Sequence, residues 1–453
     1  MNFTLIIHFI GLSLVVTNTN FVDGTGCTLS KFQKTRDKYG IETSFQKEEL
    51  RIQKTERTFL CKLVLHLYAS CIGHESKLQY IPELPEHIKN LEFCGNQLPI
   101  LNITSLRNAS NLHLTNLQLS DNNIVNITPD AFTNFKYLRD LDLSKNRDIQ
   151  PGDVMNALSS LKNSPMEDLY FYDIGWSEIP DEMFKSLFGT KLKSINLSIN
   201  KLEFIPGNMF SGLNHLSVLN LGANKLHKMN LTGLKTVRFL ILSSNLIYRI
   251  PKFCANQSQP SLVPSLEELY LDDNRIDFIS KETFGCLEKL KRLMLSKNPI
   301  LEIKNNCLQP LLSLETLHLS EIYVPFSKLK IEKYAFNSSS LERLYFQGNS
   351  LLSPIDYDPE LLFANCRNLK YLILSYTQLP SNSHILKLLL SPLENLEDLR
   401  MDSTGLDKLP AGLFSKMNSL MSLSLKENNI NSWTDTDVFK NLKLTYLGLR
   451  QNQ

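Results

Sequence analysis

Tyr170, Tyr270 and Tyr345 occupy equivalent places in the phrases Leu169-Tyr170-Phe171, Leu269-Tyr270-Leu271 and Leu344-Tyr345-Phe346. A period of two sends the flanking apolar residues to one side of the backbone and each tyrosine to the other. Lys291, Arg292, Arg343 and Tyr371 stand at neighbouring outward positions of similar phrases. The chemistry these types can do is non-covalent capture. Tyr and Arg are the residues most enriched at binding hot spots, and one buried tyrosine contributes about 1 to 3 kcal/mol. The seven are the candidate ligand-binding residues. Covalent chemistry has no comparable signal. The sequence has no Gly-x-x-x-x-Gly-Lys-Ser/Thr, no Gly-x-Ser-x-Gly and no His-Glu-x-x-His. Its nine histidines are scattered and its cysteines lack paired zinc spacing. The expectation is a non-enzymatic chain with no catalytic residue, metal ligand or cofactor. Lys plus Arg number 48 and Asp plus Glu 46, so net charge is no reason to expect nucleic acid or an anionic membrane as partner.

What must position these residues is a phrase written fifteen times between Leu91 and Asn452, Leu-x-Leu-x-x-Asn, at spacings of 21 to 29 residues. Clean copies are Leu141-Leu143-Asn146, Leu219-Leu221-Asn224, Leu269-Leu271-Asn274 and Leu423-Leu425-Asn428. The pattern resembles leucine-rich repeats. One such unit cannot bury its own leucines, so stability has to come from stacking on neighbours. The implied fold is an α/β solenoid: a curved horseshoe with a parallel sheet on the concave face and short helical turns or loops on the convex face. Spacings of three, as in Phe210-Leu213-Leu216 and Phe414-Met417-Leu420, mark those outer turns and make the phenylalanines packing residues. The carboxamide of the conserved-place Asn offers both a donor and an acceptor to inward-turning backbone, so the asparagines are expected to form a ladder. Ile174, Ile322, Thr377 and Thr404 interrupt it. Thr can replace part of that bonding and Ile cannot, so local changes of curvature or twist are expected near the two isoleucines.

The compartment is read from three features. Residues 3–16 are mostly apolar and precede a polar stretch, which predicts a signal peptide over 1–20. Eight cysteines in a secreted chain predict disulfides. Cys27, Cys61, Cys71 and Cys94 cluster in and beside residues 21–80 and are expected to close an N-terminal cap, in any of three pairings. Cys254, Cys286 and Cys307 fall in consecutive repeats, where one pair bridges and one thiol is left over, and Cys366 replaces an apolar residue of an outer turn. Seven Asn-x-Ser/Thr sequons are glycosylation candidates: Asn102, Asn108, Asn126, Asn196, Asn230, Asn256 and Asn337. Asn196 points outward from a strand, so a glycan there would cover part of the concave sheet.

Over about Ile81 to Asn452 the repeat phrase, the irregular lengths, the ladder breaks and the outer Phe pattern are similar to the ectodomain of a Toll-like receptor. That resemblance implies recognition of a microbial or protein ligand, homo- or heterodimerisation on binding, and signalling through a membrane span and cytoplasmic domain. Residues 81–453 hold about fifteen repeats, the last incomplete and without a C-terminal cap. Membrane attachment is therefore expected only through a segment beyond residue 453, and the sequence reads as part of a receptor. Its place is secreted, on the outer side of the plasma membrane, or in the endosomal lumen. The N-terminal cysteines are more widely spaced than in small leucine-rich proteoglycans. A repeat-built adhesion or matrix protein, or a soluble decoy or co-receptor, is the alternative.

Overall fold

Each leucine phrase forms one short strand, and fifteen such strands, from Asn90–Cys94 to Tyr446–Gly448, pair in parallel. The structure is a computed structural model describing residues 48–54, 57–64, 67–73, 77–254, 260–322, 329–353, 355–433, 438–440 and 442–452. The register places leucine on leucine: Leu117 beside Leu141, Leu141 beside Leu169, Leu269 beside Leu293, and Leu293 beside Leu317. These central side chains are buried, as is the second apolar residue of each phrase, such as Leu143, Phe171, Leu271 and Phe346. One continuous core therefore runs the length of the stack. This is a solenoid, with the two residues flanking each central leucine left on the sheet face.

The asparagines hold the inward turn. Asn274 Nδ2 donates to Leu242 O of the preceding repeat at 3.0 Å and to Leu271 O of its own at 3.1 Å, while its Oδ1 accepts from Ile247 N at 3.0 Å. Asn146, Asn200, Asn224, Asn245, Asn298 and Asn428 repeat the arrangement. Each side chain satisfies backbone groups in two successive coils, so it ties neighbours together as well as closing its own turn. At the interruptions other groups step in. Thr377 Oγ1 donates to Phe346 O at 2.9 Å, and Thr404 Oγ1 to Met401 O at 3.0 Å. Beside Ile174, the indole Nε1 of Trp176 donates to Ile149 O at 2.8 Å. Strand pairing passes Ile174 and Ile322 in unbroken register.

The residue before every ladder position has a positive φ, from Gly95 (68°) and Asp121 (57°) through Ile199 (56°) to Gln451 (60°). The turn demands this left-handed conformation whatever side chain occupies it. For a β-branched residue such as Ile199 that is costly.

On the opposite side from the sheet, most of each coil is turn, with short α-helices at Arg107–Ser110, Pro151–Leu158 and Ser383–Leu390. Asn382 caps the last of these, its Oδ1 accepting from His384 N at 2.9 Å. Phenylalanines stack between coils, Phe184 on Phe210 and Phe336 on Phe363, each with ring centroids 5.8 Å apart.

At the N-terminal end Glu48–Lys54, Arg57–Val64 and Tyr68–Ile72 form antiparallel pairs, and the last runs parallel to Asn90–Cys94. A Cys61–Cys71 disulfide joins two of them. The carboxylate of Glu92, 2% exposed, accepts from Tyr68 Oη at 2.6 Å and Ser70 Oγ at 2.7 Å. A second disulfide joins Cys254 and Cys286, and Cys307 and Cys366 are buried thiols. Burial pushes both of those thiols up to about 12. Cys94 is also buried, its Sγ 3.2 Å from Ser120 Oγ. The expected signal segment, Cys27 and Asn256 lie outside the described residues.

Candidate ligand-binding face

Two residues per strand reach the sheet face, one on each side of the central leucine, and parallel register aligns them into rows. One row reads Tyr270, Met294, His318, Tyr345, Ile373, Arg400 on six consecutive strands. The other, over the same strands, reads Glu268, Arg292, Thr316, Arg343, Tyr371, Asp398. At about 4.8 Å per strand, the rows run roughly 24 Å.

These side chains are held by one another. Glu268, nearly buried, accepts from Tyr270 Oη at 2.5 Å and from the guanidinium of Arg292. Burial, then the Glu268 hydrogen bond, raises the Tyr270 phenol well above its ordinary range, so it stays a neutral donor. His318 lies flat on Tyr345, ring centroids 3.9 Å apart. Burial, with the charge of Arg292 second, lowers the imidazole to about 4, so His318 is neutral at physiological pH. The guanidinium of Arg343 sits 4.5 Å over the Tyr371 ring, a cation–π contact that orients both. Arg400 is fixed by Asp398 at 3.2 Å. The face offers flat aromatic surface and oriented donors in a partly buried setting.

A flanking row of acidic and basic residues borders it. Glu267 bridges Arg238 at 2.7 Å and Lys291 at 3.3 Å, and Glu342 meets Lys370 at 3.2 Å. The Arg238 hydrogen bond is the main reason the Glu267 carboxyl lies below its usual value. Such half-exposed pairs are worth about 0 to 1 kcal/mol each, so their consequence is position. Lys291 is in this border and its charge is already engaged by Glu267.

The fold thus brings Tyr270, Arg292, Arg343, Tyr345 and Tyr371 together and sets two candidates apart. Besides Lys291, Tyr170 lies four strands from Tyr270, among Asp140, Asp142 and Asp168. Asn196 sits in the next place along the Tyr170 row. Sequence reasoning passed over His318 and Met294. Their signal was present, since Leu317-His318-Leu319 and Leu293-Met294-Leu295 are the same phrase that singled out the tyrosines.

Among the described residues no helix is long and apolar enough to cross a membrane. Four stretches, residues 112–162, 190–247, 264–321 and 394–453, together half of the chain, match the family model described as Leucine rich repeat. Keratocan of Danio rerio is 28% identical over 294 residues, which cover 61% of this chain and 75% of keratocan. Podocan of Mus musculus is 26% identical over 80% of this chain and 52% of podocan. CD180 antigen of Mus musculus is 26% identical over 84% of this chain and 60% of that protein. The chain therefore spans little more than half the length of the last two. Among solved structures, an LRR protein of Leptospira interrogans superposes with a TM-score of 0.56 at 22% identity, covering 83% of each chain. The structure of a TLR13–ssRNA13 complex gives a TM-score of 0.58 at 21% identity, over 81% of this chain and 58% of that one. Both are likenesses of fold.

Proposed function

Because this chain belongs to the leucine-rich repeat family and resembles a Toll-like receptor ectodomain, we propose that it is the extracellular ligand-recognition region of a Toll-like innate immune receptor. It captures a pathogen-derived molecule or a protein ligand on the sheet face, and the work is binding rather than catalysis. The observation that carries this reading is the double row from Tyr270 to Arg400, six strands of oriented aromatic and cationic groups held by Glu268 and Asp398. Similarity to CD180 antigen along 84% of the chain supports the receptor class. The carboxylates of Glu267, Glu268, Glu342 and Asp398 are each paired with a lysine or arginine of the same face, so little free positive charge is left to attract a long polyanion. A protein or amphipathic microbial ligand fits this face better than the single-stranded RNA named for the TLR13 complex. The disulfide-tied strands before the first repeat serve as its N-terminal cap.

A leucine-rich repeat adhesion or matrix protein is the second reading, favoured by likeness to keratocan and podocan. The test immobilises the purified chain and offers microbial lipids, single-stranded RNA and extracellular matrix proteins in parallel. A ligand bound by the wild type and lost in the His318→Ala/Tyr345→Ala variant supports the site, and the class of that ligand chooses between the readings. Binding that survives the double substitution unchanged removes the site.

A further inference from the structure

A hollow of about 590 Å³ opens between three consecutive repeats, in the segments that precede the strands of Leu317, Leu344 and Leu372. Its size falls within the range of small-molecule sites. Leu312 lies on its wall with 65% of its surface exposed, apolar area that the protein itself leaves uncovered. The side chains of Gln309, Asn365 and Arg367 line the same hollow and have no hydrogen-bond or ion-pair partner among the described residues. Apolar surface beside unengaged amides and a guanidinium is the pattern that suits a sugar. The ring faces of a pyranose are apolar and its edge carries hydroxyl and acetamido groups. On the rim stands Asn337, followed by Ser338 and Ser339, an Asn-x-Ser sequon.

We propose that Asn337 carries an N-linked glycan whose first sugars seat in this hollow, covering Leu312 and bonding Gln309, Asn365 and Arg367. The inference rests on the extracellular reading above. Tethering supplies the occupant: a sugar linked to the rim has an effective concentration in the millimolar range, so weak contacts suffice. The Asn337 side chain is compatible with attachment. Its Nδ2 donates one hydrogen to Asn306 Oδ1 at 2.8 Å, and the second hydrogen is the one replaced. The oligosaccharyl group comes from a glycosyl diphosphate carrier. The bond from Nδ2 to the anomeric carbon forms as the carbon–oxygen bond to the diphosphate breaks. The diphosphate leaves with the bonding pair, and one Nδ2 proton passes to solvent. The remaining N–H keeps the bond to Asn306.

The test expresses the full chain in secretory cells and reads occupancy at each sequon by mass spectrometry. Release of the Asn337 glycan by an endoglycosidase is then timed on the folded protein. A Leu312→Asp/Arg367→Ala variant and an Arg367→Ala variant keep the sequon and spoil the hollow. Release from the wild type should be about tenfold slower than from the double variant, the factor matching about 1.4 kcal/mol of seating. Equal rates overturn the proposal. So does a bare Asn337 while the exposed Asn126 or Asn230 is occupied. A secreted protein bare at all sequons overturns it too, leaving the binding reading intact. Retention in the cytosol defeats both.

Discussion

The imidazole of His318 lies on the phenol ring of Tyr345 with the two planes 14° from parallel, across adjacent strands in register. Both rings are partly buried, and each covers a face of the other. The stack presents one preformed flat surface at the middle of the aromatic row, so a ligand meets it without first ordering it. Tyr345→Ala should therefore weaken ligand binding about tenfold or more, consistent with the 1 to 3 kcal/mol of a buried aromatic ring. Tyr170→Ala, on the distant acidic patch, should leave affinity unchanged. Titration calorimetry of the three proteins checks this, and equal losses in both variants would detach binding from the stack.

Acid pulls on His318 and Asp272 in opposite directions. The folded His318 titrates at about 4, against about 6.5 when unfolded. Between those values only the unfolded chain binds the proton, so stability falls as pH falls. Burial raises Asp272 to about 6, with hydrogen bonds from Ser296 and Ser243 holding it back; unfolded, a carboxyl of this kind sits at about 3.9. Between those values only the folded chain binds the proton, so stability rises as pH falls. Each contribution is roughly 3 kcal/mol over its window. His318→Phe should gain in melting temperature, relative to wild type, on going from about pH 7 to pH 5, and Asp272→Asn should lose. Identical pH dependence in all three proteins contradicts the assignments.

Asn274→Ala removes side-chain bonds to Leu242 O, Leu271 O and Ile247 N at once, in a buried turn. The cost should be about 3 kcal/mol, since buried backbone groups are left without partners. Asn274→Thr should recover part of it, because Thr377 and Thr404 already serve in this place. Thermal melts settle the point: an unchanged transition in the alanine variant would show that the ladder contributes nothing.

Ile199 tests the turn itself. Its φ of 56° is strained for a β-branched residue, and its side chain is 53% exposed, so little packing opposes replacement. Ile199→Gly should raise stability by about 1 kcal/mol. A lower melting temperature would mean that the left-handed conformation carries no penalty here.

The leucine and asparagine columns were legible because they repeat, and repetition survives without knowing the third dimension. Tyr270 and Tyr345 were legible for the same reason, as outward residues of that phrase. The site was only half legible. That His318 lies on Tyr345, or that Glu268 joins Tyr270 to Arg292, depends on strand-to-strand register across spacings that vary from 21 to 29 residues. Lys291 looked like its neighbour Arg292 in one dimension, yet it falls in the border row against Glu267. The near-neutral total charge hid a local crowd of carboxylates around Tyr170. The demand for positive φ before each ladder residue was silent because Asp, Lys, Ile, Ala, Ser and Glu all meet it.

Hydroxyl-radical footprinting of the chain with its captured ligand asks the decisive question directly. Protection should concentrate on Tyr270, Met294, His318, Tyr345 and Tyr371, with Tyr137 and Tyr248 as reactive as in the free protein. Protection confined to Tyr137, Tyr248 or other residues off the double row would contradict recognition by the sheet face.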